Sequence, residues 1–174
     1  QANRELEQRV QQRTQEVERQ LLQIRTAAEI TQVAISAGNL SDLLHRTVEL
    51  LSERFGYTHA AIYITDEGGQ VAGMREAAGC GGKDFNSKRL MITAGTNSSV
   101  GWVLEHKPAH LTSAIPLEGE WRPDALLPDS KSKVSLPIMV ASQILGVLDI
   151  QHNLSNAFEP DVIAVLQTIA NHIA

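Results

Sequence analysis

The sequence predicts an α+β fold, an antiparallel sheet with helices packed on its faces, behind one long amino-terminal helix. Three observations predict it. Residues 1–37 contain neither Gly nor Pro and repeat apolar residues at helical spacing. Strand-like runs come in pairs joined by short turns, 60–65 with 70–78 and 134–140 with 144–151, and strands joined that way lie antiparallel. Helical patterns stand before, between and after these hairpins, so the sheet has helices to cover it.

The first helix carries Leu6, Val10, Val17, Leu21, Ile24, Ala28, Thr31 and Ile35 at steps of mostly three and four, with Arg13 at one seam position. That is the rhythm of a coiled coil. Two successive steps of four, Arg13 to Val17 to Leu21, make a stutter, which locally unwinds a supercoil. At about 1.5 Å per residue the helix would run roughly 55 Å. It is too polar to stand alone, so a parallel dimer is expected.

Gly38 breaks this helix, and Asn39 with Asp42 makes a cap for the next. That helix runs to Phe55 on an apolar face of Leu40, Leu43, Leu44, Val48, Leu51 and Phe55, and Gly56 ends it. The strand Ala60–Thr65 meets the turn Asp66-Glu67-Gly68-Gly69 and returns through Gln70 to Ala78. Residues 79–97 read as Gly-rich and irregular, with a short strand near Arg89 to Thr93. A short helix is expected over Ser98 to Glu105, and Pro108 biases Lys107 away from helix. Ala109-His110-Leu111 reads as a strand, and 113–132, with three prolines, as a long loop. Val134–Val140 and Ile144–Gln151 form the last hairpin around Ala141-Ser142-Gln143, with Pro137 marking an edge or a bulge. A final helix starts at Pro160 and is still running at Ala174.

Composition narrows the function. The formal net charge is −5 with acids and bases interleaved, and the absence of a basic stripe argues against nucleic acid. The single cysteine, Cys80, excludes an internal disulfide framework and fits a reducing, cytoplasmic setting. No apolar run approaches the roughly 20 residues of a membrane span, so no membrane contact is expected of this stretch itself, whose parent is left open as either wholly cytoplasmic or a membrane-anchored sensor. A first residue of Gln1 and an end inside a helix read as a piece of a longer protein.

The run Leu127–Ile138, with Ser132-Lys133-Val134-Ser135-Leu136-Pro137, resembles the entry to the penultimate strand of GAF domains. Ile144–Gln151 is similar to their last strand, and Ala157-Phe158-Glu159-Pro160-Asp161 to the start of their final helix. Ser99-Val100-Gly101-Trp102-Val103 with Lys107-Pro108 resembles their short helix and turn. Residues 4–14 are similar to the linker helices of bacterial sensor histidine kinases, with Gln12 standing where Glu is usual. The resemblance implies a GAF fold, with a central antiparallel sheet of about six strands and helices on both faces. It implies a signalling and dimerisation helix over 1–37 and a GAF domain over 38–174 that leads toward an output module. It also implies a non-catalytic sensor of a two-component system. Leu166, Ile169 and Ile173 of the last helix are expected to join the seam of the first at the dimer interface.

The segment matching 98–131 covers a pocket in this family. Tyr63, Val100, Trp102, Thr112, Trp121, Arg122, Ser135 and Asp149 are the ligand-binding candidates. Trp121 would stack on a planar ligand and Arg122 would pair with its charge. Asp149 lies in an apolar strand and needs partners whether its role is binding or structural. No cofactor or metal is expected, and the occupant would be an unidentified small molecule. Cys80 stands in the wrong segment, without a following His, for a bilin attachment, and the family's free methionine sulfoxide reductases need more than one cysteine. His106 and His110 are separated by Pro108 and do not share a helical face, so they are not expected to ligate. The glycines at 79, 81 and 82 match no phosphate loop. The competing readings are a ligand-free dimerisation spacer, whose pocket is filled by its own side chains, and a haem or bilin sensor.

Overall fold

A computed structural model describes residues 2–115 and 124–174; within α1 the side chains of residues 2, 19, 22–23, 26–27, 30–31 and 34–35 are not described. The elements are α1 (Ala2–Ser36), α2 (Leu40–Glu53), β1 (His59–Thr65), β2 (Val71–Gly79), α3 (Gly82–Lys88), β3 (Met91–Thr93), α4 (Ser99–His106), β4 (His110–Thr112), β5 (Ser132–Val140), β6 (Gln143–His152) and α5 (Pro160–Ile173). Six strands form one sheet in the order β3-β2-β1-β6-β5-β4, and every neighbouring pair is antiparallel.

Period-two alternation divides the sheet between two cores. Ala60, Ile62, Val134, Leu136, Ile138, Leu148 and Ile150 face α2 and α5 and pack on Leu44, Val48, Leu51, Leu166 and Ile169. The residues between them, including Ala61, Tyr63 and Val147, face α3 and α4 and pack on Phe85, Val100, Val103 and Leu104. Helices therefore lie on both faces, as expected. Leu166, Ile169 and Ile173 are 1%, 0% and 9% exposed in that first core. Their expected place at a dimer interface is corrected: α5 turns its apolar stripe onto its own sheet, leaving none of the three for a partner.

Local chemistry sets the boundaries. The Asn39 side chain accepts the Asp42 N–H at 3.0 Å, and Asp42 Oδ2 accepts the Gly38 N–H at 3.3 Å, so each end of the cap satisfies the other. The Asp66 carboxylate accepts the N–H groups of Gln70 and Val71, which closes the β1–β2 turn, with Gly69 at φ +67°. Ser98 Oγ accepts the Gly101 N–H and starts α4. Pro137 lies just past the three residues through which β4 pairs with β5, beside a register shift between Ile138 and Met139.

The segment read as irregular contains α3. One buried aromatic, Phe85, anchors it, with its ring 4.7 Å from that of His59. A seven-residue helix held by one side chain and opened by Gly81 at φ +69° leaves no apolar period to read.

Candidate functional site

The α3–α4 face of the sheet changes character along its length. Its β3 side is apolar. Toward β4 and β5 it carries His59 from β1, Asp149 and Gln151 from β6, Lys133 and Ser135 from β5, and His110 and Thr112 from β4. The register places them together: His59 pairs with Gln151, Ser135 with Asp149 and with His110, and Lys133 with Gln151 and with Thr112.

Asp149 is the centre of this patch and is 2% exposed. Its Oδ1 accepts the Ser135 hydroxyl at 2.5 Å, and Oδ2 accepts Gln151 Nε2 at 3.2 Å and lies 3.4 Å from Lys133 Nζ. Ser135 Oγ also lies 2.8 Å from Ser99 Oγ at the start of α4. The single Ser135 proton goes to the carboxylate, so Ser99 donates to Ser135. Ser130 Oγ donates to Gln151 Oε1 at 2.8 Å. A buried carboxylate is thus satisfied by side chains from two strands and carries helix α4 and the β4–β5 connection with it.

Two histidines flank the patch, and both are held below the ordinary imidazole range. Burial is the main cause for His59, opposed by the nearby Asp149 charge and by the hydrogen bond of its Nδ1 to the Cys80 carbonyl at 2.9 Å. Burial also dominates for His110, joined by the Lys133 ammonium and opposed by Asp149. Burial raises the Tyr63 phenol, and the negative charges of Asp149 and Asp124 push it the same way.

Of the residues expected to bind, the structure joins Ser135 to Asp149 directly. Tyr63 and Val100 are buried on the same face at 4% and 1% exposure, and Thr112 is half-buried beside Lys133 on β4. Trp102 is half-buried, and its ring is already occupied: it stacks on His106 at 4.4 Å and meets the edge of His110 at 5.0 Å. Trp121 and Arg122 lie outside the described residues. Sequence reasoning missed His59, Ser99, Ser130, Lys133 and Gln151 as members of the patch. Alternation from Asp149 to Gln151, and from Ser135 to Lys133, held the signal for two of them.

The chemistry is that of a hydrogen-bonding surface. Asp149 accepts the Ser135 hydroxyl directly, and His59 Nδ1 is engaged by the Cys80 carbonyl. Among the described residues no three His, Cys, Asp or Glu side chains come together to hold a metal ion. Cys80 is exposed and free, and its backbone is bound to Thr58 and His59. A separate cleft of about 790 Å³ opens at the carboxy end of α4, between the β1–β2 and β5–β6 turns, with Glu67, Glu105, Lys107 and Ser142 on its walls.

The family model for the GAF domain matches residues 39–174. The chain belongs to the GAF domain family. Among solved structures, the GAF domain of a phosphoenolpyruvate-protein phosphotransferase from Coxiella burnetii superposes with a TM-score of 0.73 at 23% identity, over 87% of this chain and 89% of that one. Its counterpart from Acinetobacter gives 0.73 at 18% identity, over 87% and 90%. The free methionine-R-sulfoxide reductase of Neisseria meningitidis, in complex with its substrate, gives 0.72 at 17% identity, over 88% and 86%. At these identities the likeness is one of GAF fold. A comparison with curated proteins found no match. Among the described residues of this GAF chain, no helix is long and apolar enough to cross a membrane.

Proposed function

We propose that this GAF chain is a non-catalytic sensory and regulatory module of a bacterial two-component protein, with a sensor histidine kinase as the parent. It works in the cytoplasm as a parallel homodimer and passes a conformational signal between α1 and an output module beyond α5. The observation that carries this reading lies along α1 from Leu6 to Ala28. Leu6, Val10, Val17, Leu21 and Ile24 are 51–67% exposed along one seam, and Ala28 is exposed too; Ile35 has no described side chain. Further along, α1 rests on α5 and α2, and Glu29 pairs with Arg54 at 3.1 Å. One helix thus presents an unpartnered apolar stripe at one end and touches the exit helix at the other. A partner that fits one helix arrangement better shifts the population toward it, and the stutter around Val17 is the place to accommodate that change.

The Asp149 face is the proposed input site, for a small polar molecule. A fold neighbour that holds its substrate supports a small-molecule occupant. A second reading has its own observation: Ser135, Gln151 and Lys133 already satisfy Asp149, as in a dimerisation spacer with a self-filled pocket.

Light scattering of the protein and of Leu6→Asp/Val10→Asp tests the relay. A dimer that becomes a folded monomer on substitution supports it, and a wild-type monomer at tens of micromolar removes it. A thermal-shift screen of amino acids, nucleotides and purines, repeated on Asp149→Asn, separates sensor from spacer.

A further inference from the structure

At the opposite end of the strands from the Asp149 face lies the cleft of about 790 Å³ beside the carboxy end of α4. Ile144, at its floor, stands five residues before Asp149 on β6, roughly 17 Å along an extended strand. Sites for small molecules have volumes of about 300–1,000 Å³, and this cleft is of that size. Leu104 and Ile144, 3% and 6% exposed, give it an apolar floor beneath polar walls.

The walls are tied to one another. Thr65 Oγ1 donates to the Ile144 carbonyl at 3.2 Å, which joins the β1–β2 turn to β6. The Asp66 carboxylate holds that turn closed through the Gln70 N–H at 3.1 Å, and the Gln70 carbonyl accepts the Ala94 N–H at 2.7 Å. The Gly95 N–H donates to the Gly101 carbonyl of α4 at 3.0 Å. Lys107 Nζ closes the ring by donating to the Ser142 carbonyl at 3.0 Å. Hydrogen bonds thus link each wall to the next, so the cleft is preformed and a ligand need not order it.

The charges are spread along the cleft. Glu105 stands at the β3 side, where its carboxylate lies over Gly95, 3.4 Å from the place of a Cβ. Lys107 stands at the β5–β6 side, through its bond to Ser142. Glu67, exposed on the β1–β2 turn, lies between them, because β1 and β2 separate β3 from β6 in the sheet. An ammonium carries three donors, and Lys107 gives one to Ser142. One side of the cleft therefore attracts a cation, and the other offers donors to an anion.

We propose that this cleft binds a small zwitterion with its amine and carboxylate at opposite ends, an ω-amino carboxylate or a dipeptide. The ammonium meets Glu105 and Glu67, the body crosses Leu104 and Ile144, and the carboxylate meets Lys107. This site is independent of the Asp149 face and of the sensory reading.

An NMR titration of the backbone amides tests it. The probes are 5-aminopentanoate and glycylglycine, and the controls are 1,5-diaminopentane and glutarate, which carry one sign of charge. A zwitterion shifts the Gln70, Lys107 and Gln143 amides saturably and leaves Ser135 and Gln151 still, and the probe that does so tells an ω-amino acid from a peptide. Glu105→Gln and Lys107→Met, both at exposed positions, each weaken that binding about tenfold, the size of one hydrogen bond to a charged group. Lys107→Met also turns the preference toward the diamine, which mere loosening of the wall does not do. Tighter binding of either control to the wild type overturns the proposal, as does the lack of a saturable shift from both zwitterions at tens of millimolar. Shifts confined to Ser135 and Gln151, or an affinity unchanged in either variant, overturn it too.

Discussion

Ser135 and Asp149 face each other across the β5–β6 pair, and the serine hydroxyl donates to a carboxylate that is only 2% exposed. Removing the carboxylate leaves the Lys133 ammonium, the Ser135 hydroxyl and the Gln151 amide without their acceptor. Asp149→Ala therefore loses about 3–5 kcal/mol, the range for breaking a buried pair from one side. Ser135→Ala loses only about 1–2 kcal/mol. Urea denaturation of the two variants compares them, and equal losses would mean that Asp149 does not anchor the patch.

Acid should weaken the fold before the carboxylates titrate. Burial holds His59 and His110 below the ordinary histidine value. Below about 6.5 the unfolded chain takes up protons that the folded rings decline. Stability is then full above that pH and falls as the pH drops toward the folded-state values. Melting temperatures between pH 8 and pH 5.5 show the decline, and His59→Gln, which keeps a donor for the Cys80 carbonyl, has a shallower slope. An unchanged slope would place the effect elsewhere.

Gly146 shows where β6 tolerates no side chain. A Cβ there would run into the Tyr63 carbonyl of β1 and lie 3.2 Å from the Ile64 side chain. The carbonyl is fixed in the sheet, so Gly146→Ala should cost roughly 1–3 kcal/mol by forcing the strands apart. Chemical denaturation measures this, and a neutral result would show that β1 and β6 can separate there without loss.

Helix caps give a pair of opposite expectations. Asn39 caps α2 through the Asp42 N–H, so Asn39→Ala loses about 1 kcal/mol. Glu159 precedes α5 and makes no such bond, so Glu159→Ser gains about 0.5–1 kcal/mol if Oγ reaches the Asp161 or Val162 N–H. Calorimetry on both variants reads the two signs directly, and a loss at Glu159→Ser would mean that its carboxylate already serves the helix end.

The parts of the fold legible in the sequence are those with long periods or firm punctuation. The α1 repeat, the Asn39 cap, the Asp66–Gly69 turn and the paired strands of the last hairpin all stand within a residue or two of their expected bounds. Helix α3 was hidden because a single Phe fixes it. The polar patch was half legible: Asp149 and Ser135 stood out as polar residues inside apolar strands, and their contact depends on a strand register that periodicity alone does not set. Ser99 and Ser130 were unreadable because their role comes from tertiary placement, and a serine beside a turn or helix start has many local uses. Leu166, Ile169 and Ile173 were misplaced because an apolar helical stripe has the same pattern whether it meets a partner or its own sheet.

Pro137 has a consequence for how molecules of this chain meet. β4 pairs only with residues 133–135, so among the described residues no strand covers the outer edge of β5 beyond them. A bare edge of that kind is a template for strand-by-strand addition of another copy. Proline offers no N–H there, its carbonyl is taken by Gln167 Nε2 at 3.0 Å, and the irregularity after Ile138 bends what remains. The edge is blunted against fibrous growth by three local devices.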